Sequence, residues 1–108
     1  MVMQMQTKLE GMDLKKAERK LMAYGTLNNP VRLKAFLLIA EQPDVAFNDI
    51  VKGLKMRNKP LAAYHLGLLK AGDLVSFTYE RKGKKSYSNY NLTELGKETL
   101  RELRQAVH

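Results

Sequence analysis

The sequence contains no cysteine, which excludes a disulfide framework and any thiolate metal site. Histidine is nearly as scarce. His65 and His108 are the only two, and they cannot by themselves supply the three or four ligands of a zinc centre, so neither a metal nor another cofactor is expected. The longest uninterrupted apolar run spans residues 35–40, far short of the roughly 20 residues a membrane-spanning helix needs. Met1–Gln6 carries neither a basic nor an apolar region of the kind that opens a signal peptide. These absences lead to the expectation of a cytoplasmic protein without a membrane partner. Catalytic patterns are missing too. Gly53, Gly67, Gly72 and Gly83 have neither phosphate-loop nor dinucleotide spacing, and His65 has no nucleophile and carboxylate at a recognisable separation. The expectation is a protein that is not an enzyme.

Acidic residues are scarce in one segment only. The chain of 108 residues, long enough for one core and one domain, has a formal charge of +8. Residues 1–51 hold seven basic and six acidic side chains, and residues 86–108 hold three of each. Residues 52–85 hold nine basic side chains against Asp73 and Glu80. An ordinary solvated surface mixes both signs, so a net charge concentrated in one segment points to a polyanion-binding face.

That segment coincides with a recognisable arrangement of helices. Ile50, Val51 and Leu54 recur at helical spacing within residues 47–55. A second helix follows over residues 58–71, with Asn58 as N-cap, Pro60 in the first turn, and Ala62, Leu66 and Leu69 on its inner face. Two short helices joined by a tight turn form a helix-turn-helix, whose second helix enters the DNA major groove. Its outward positions are Lys59, Ala63, Tyr64, Gly67 and Lys70, with Arg57 and Asn58 at its start.

From Val75 the period changes to two. Val75, Phe77 and Tyr79 alternate with polar residues, and a second strand ends at Leu92. If Gly83-Lys84 is a two-residue turn, Val75 faces Leu92, Phe77 faces Tyr90 and Tyr79 faces Ser88, so the apolar residues of both strands share one face. The resulting hairpin, residues 74–92, is a wing with Arg81, Lys82, Lys84 and Lys85 at its tip. Three further helices complete the chain. One spans residues 13–25, with Leu14, Ala17, Leu21 and Tyr24 in a stripe and a stop at Gly25. A core helix spans residues 30–41, opening on Asn29-Pro30 and apolar nearly all round from Ala35 to Ala40. A last helix spans residues 93–107, capped by Thr93, weakened by Gly96, with Leu95, Leu100, Leu103 and Val107 inward. The fold class is mainly α with a β-hairpin wing. Both end helices are amphipathic and neither carries the charge excess, as expected of packing or dimerisation elements.

Several short motifs carry a family likeness. Asn29-Pro30-Val31-Arg32-Leu33, Tyr64-His65-Leu66 with Leu69 and Gly72, Leu74-Val75, and Tyr90-Asn91-Leu92-Thr93 resemble the ArsR-type winged-helix repressors, particularly their archaeal relatives. The likeness implies a homodimeric transcription regulator, joined through its end helices, with one recognition helix per half-site. It also implies a structural or phosphate-adjacent role for His65. The glycine that such proteins commonly place before the wing leucine is Asp73 here, with Gly72 one position earlier, so a helix end shifted by one residue is expected. The cysteines and histidines of metal-sensing relatives are missing.

The reading is sequence-specific binding of double-stranded DNA by a dimer, through Arg57, Asn58, Lys59, Ala63, Tyr64, Gly67 and Lys70, with Arg81, Lys82, Lys84 and Lys85 on the backbone or minor groove. Two alternatives remain. An architectural nucleoid protein would share every charge argument and lack base-reading side chains on the helix. A winged helix used for protein contacts is disfavoured by the concentrated positive charge.

Overall fold

The computed structural model describes Lys8, Leu9 and residues 11–107; Met1–Gln6 and His108 lie outside the described residues. The elements are β1 (Lys8–Leu9), β2 (Met12–Asp13), α1 (Leu14–Leu27), α2 (Pro30–Glu41), β3 (Val45–Ala46), α3 (Phe47–Leu54), α4 (Lys59–Ala71), β4 (Val75–Lys82), β5 (Lys85–Leu92) and α5 (Glu94–Ala106). β1 and β2 form a short antiparallel pair. The other strands form one antiparallel sheet in the order β3-β5-β4.

Side-chain caps begin four of the five helices. Asp13 accepts from the amides of Lys15 and Lys16, Asn29 from Val31 and Arg32, Asn58 from Leu61, and Thr93 from Gly96, satisfying amides that have no partner within their helix. α3 has no such cap. The core is built on α2, whose Ala35, Phe36 and Ile39 are buried against Ile50, Leu66, Leu69 and Leu74. Leu37 points to solvent on the same helix, so its burial is one-sided rather than complete.

Three expectations require correction. α1 does not stop at Gly25 but continues to Leu27, because Leu27 is buried in the core and the two further residues deliver it there. Val107 is not inward, being 82% exposed at the end of α5. The end of α4 is not shifted. Gly72 has an ordinary negative φ, and Asp73 takes the left-handed conformation at φ 62°. The amide of Asp73 bonds to Lys70 O and that of Leu74 to Leu69 O, the paired closure that usually calls for glycine at the left-handed position. The predicted stripe of α1 is not its buried face: Ala23 and Leu27, which lie outside that stripe, are buried by the body of the domain, Ala17 and Tyr24 are half-buried, and Leu14 and Leu21 are exposed, Leu21 to 70%.

The root of the wing is knotted to both helices beside it. Thr93 donates from its hydroxyl to Asp73 O at 2.6 Å, and its amide bonds to Leu74 O at 3.1 Å. Gly96, which weakens α5 as a helix former, is required by this junction, since a Cβ there would lie 2.2 Å from Leu74 O. At the opposite edge, Asn91 accepts from the Asp44 amide at 2.9 Å and donates to its carboxylate at 2.6 Å, tying β3 to the wing. α1 and α5 are joined by charge: Lys20 bonds to Glu98 and Glu102, and the Tyr24 hydroxyl donates to Glu102. The bond from Tyr24, then that from Lys20, hold the Glu102 carboxyl below its usual pKa. Burial works against the charge on Lys20, but its two carboxylate partners outweigh that and raise its pKa.

Candidate nucleic-acid interface

α3 ends where Lys55 turns left-handed at φ 55°, and Asn58 starts α4 four residues after Leu54. α4 buries Ala62, His65, Leu66 and Leu69, which turns Lys59, Ala63, Tyr64, Gly67 and Lys70 outward as the spacing predicts. Arg57 and Asn58 are also exposed. The Asn58 side-chain oxygen is spent on capping α4, leaving only its amide NH2 to face a partner. Leu61, in the first turn, is 42% exposed and belongs to the same surface; its apolar character gave no sign of that.

Gly67 stands out on this face. A Cβ built there would meet nothing within 4 Å, so no internal contact requires glycine. In a helix interior glycine is about 1 kcal/mol less favourable than alanine.

His65 is turned into the fold. It is 8% exposed, and its Nδ1 lies 3.2 Å from Nη1 of Arg32. A guanidinium can only donate, so Nδ1 accepts and the neutral ring carries its proton on Nε2. Burial, reinforced by the Arg32 charge, lowers the His65 pKa. Arg32 also donates from Nε to Thr26 O at 2.7 Å, so one side chain of α2 fixes α1 and α4 together. The Tyr64 ring meets the His65 ring edge-on, with centroids 5.3 Å apart. The Arg32 role was not legible in the sequence, because its partners lie in other helices.

The wing pairs in the register that the alternation predicts, from Val75 with Leu92 to Lys82 with Lys85. Gly83 has φ 61° and Lys84 does not share a positive φ, as a type II′ turn requires. The strands run up to the turn itself, as a two-residue loop requires: Arg81, Lys82 and Lys85 are all paired in the ladder. Lys82 directly opposite Lys85 is a like-charge pair, an arrangement that destabilises a hairpin unless an anion lies nearby. Seven residue steps separate Val75 from Lys82, so the tip stands about 24 Å from the root of the wing.

Lys70 joins the helix to the wing. Its ammonium lies 4.3 Å from the centroid of Phe77, and Phe77 packs on Tyr90 with centroids 5.5 Å apart. Tyr79 and Tyr87 are exposed further out, on opposite faces of the hairpin. Among the described residues, none of the nine basic side chains of residues 52–85 makes an ion pair, and Asp73 in that segment faces Arg19 of α1. No group of three or more His, Cys, Asp and Glu side chains suited to a metal ion occurs among the described residues. None of their helices is long and apolar enough to cross a membrane.

A helix-turn-helix followed by a hairpin is also what the chain shares with solved structures. HlyU from Vibrio cholerae superposes over 87% of this chain and 98% of its own, with a TM-score of 0.66 at 18% identity. A transcriptional regulator homologue from Pyrococcus horikoshii covers 77% of this chain and 85% of its own, with a TM-score of 0.62 at 22% identity. Mb0332 from Mycobacterium bovis covers 92% of this chain and 89% of its own, with a TM-score of 0.62 at 28% identity. It is described as a homodimeric winged helix-turn-helix DNA-binding domain and a possible ArsR-family transcriptional regulator. The fold is the winged helix-turn-helix. The structural neighbours of this winged helix include the kind of regulator that its short motifs resemble. No protein-family model and no curated protein matches the chain.

Proposed function

We propose that this winged helix binds duplex DNA as a homodimeric transcriptional regulator, with α4 in the major groove and the wing on the backbone or adjacent minor groove. The observation that carries the reading is the outer face of α4. Gly67 has no internal reason to be glycine, and Ala63 lies one turn before it. Together they leave a shallow strip on an otherwise cationic helix, shaped for close approach by a partner outside the chain. Arg57, Lys59 and Tyr64 flank the strip, while Lys70 and Phe77 continue it into the wing. The name of Mb0332 as a homodimeric DNA-binding domain supports the same reading.

Dimerisation is assigned to the end helices, led by α1. Leu14, Leu21 and Met22 are exposed on α1, and Gly25, one turn after Leu21, leaves open space beside it. A second helix can bury this stripe.

One observation favours an architectural coat instead. Beyond Arg57, Asn58 and Lys59, the outer face of α4 offers few side chains that read base edges. Selection of binding sites from random duplex DNA separates the two. A regulator enriches a pseudo-palindrome with half-sites about 10 base pairs apart, centre to centre; a coat enriches no motif.

A further inference from the structure

The balanced charge of α5 is a matter of count, not of placement. Glu98 and Glu102 face α1, where Lys20 and Tyr24 hold them. Lys97, Arg101 and Arg104, at helical spacings of four and three, form a row along another edge of α5 and line a cleft of about 640 Å³. Ile39 of α2, Leu92 of β5 and Leu100 of α5 supply its apolar lining. Among the described residues, Arg101 and Arg104 lie in no ion pair, and Lys97 reaches only Glu94 at 3.9 Å. A volume in the range usual for small-molecule sites, apolar walls and two guanidinium groups outside any ion pair among the described residues form one unit.

We infer that this cleft binds a small amphipathic carboxylate, its apolar body against Ile39, Leu92 and Leu100 and its carboxylate on Arg101 and Arg104. Guanidinium groups match a carboxylate through paired N–H donors, and the apolar lining favours such a ligand over a bare phosphate backbone. Leu92 closes the wing strand β5, so an occupant touches the root of the wing as well as α5. Any effect on DNA rests on the proposed function; the binding itself does not.

The test uses the full chain, without DNA, titrated with octanoate and followed by amide chemical shifts. Binding is expected to move Asn91, Leu92, Lys97 and Arg101. Exchanging Arg101 and Arg104 together for Glu should weaken it by roughly tenfold or more, whereas exchanging Lys82 and Lys84 for Ala should leave it unchanged. Octylammonium should not bind the cleft. Shifts that cluster on the wing, or equal affinity in the Arg101→Glu/Arg104→Glu protein, would overturn the assignment by showing only attraction to a basic surface. So would an absence of octanoate binding, whether because a second copy of the chain already fills the cleft or because the row serves DNA. A well-dispersed spectrum of each variant guards against misfolding, and Arg101→Gln/Arg104→Gln provides a milder pair with the same expected direction.

Discussion

Two regions of this winged helix treat charge in opposite ways. Between α1 and α5 the charges are joined within the chain: Lys20 bonds to Glu98 and Glu102, and Tyr24 to Glu102. On α4 and the wing, nine basic side chains of residues 52–85 have no ion-pair partner among the described residues, and two of them, Lys82 and Lys85, are set directly opposite each other. Self-repulsion of that kind costs stability, and it is offset when a polyanion is bound. The first region serves the fold; the second is the surface assigned to DNA in the proposed function. Composition alone would treat all 19 basic residues alike.

The largest effect is expected from α1. Changing Leu21 and Met22 to Glu should give a folded monomer by sedimentation, because both residues are exposed in the single chain. Loss of the linked second half-site should weaken operator binding by roughly a hundredfold. A variant that stays a dimer would place the interface elsewhere.

On the other side, the helix and wing tip should separate by role. Lys82→Ala with Lys84→Ala should weaken binding to all duplexes alike and lower the salt slope by about 0.9 for each phosphate no longer neutralised. Tyr64→Ala should instead remove about 1–3 kcal/mol of discrimination between specific and random DNA. Equal losses on both kinds of DNA from Tyr64→Ala would move the architectural reading ahead.

Smaller effects sharpen the account of the scaffold. The His65 pKa is lowered in the folded state, so the folded chain binds that proton less well than the unfolded one. Its contribution is complete above the ordinary histidine value of about 6.5 and is lost as pH falls through the lowered folded value. Melting temperature should therefore fall on acidification more steeply in the native protein than in His65→Gln. Smallest of all, Asp73→Gly should stabilise the fold by about 0.5–1 kcal/mol in denaturant unfolding, since glycine adopts φ 62° without the steric cost an L residue meets there. The Arg19 pair it forfeits, at 3.4 Å between exposed side chains, is worth little.

The parts legible in the sequence are those governed by local period. The wing register followed from alternation about Gly83, and the outward face of α4 from the positions of Ala62, Leu66 and Leu69. What stayed hidden depends on packing between distant segments. Gly96 reads as a weak helix start until Leu74 O is seen 2.2 Å from where its Cβ would be. The stripe of Leu14, Ala17, Leu21 and Tyr24 on α1 was visible, but the face that the domain buries is that of Ala23 and Leu27, and only the packing shows it. Likewise Glu94, Glu98 and Glu102 give α5 an even count with Lys97, Arg101 and Arg104, although Glu98 and Glu102 face α1 and the three basic residues line another edge.

The central claim is that the outer face of α4 is an approach surface for DNA, and Gly67→Leu tests it most directly. Leucine is a better helix former than glycine and would meet nothing within 4 Å at its Cβ, so thermal unfolding should occur at an unchanged or higher temperature. The same substitution should lower affinity for the selected duplex by at least about tenfold, because the side chain would hold the helix out of the groove. A stable Gly67→Leu protein that binds the duplex as tightly as the native one would contradict the account.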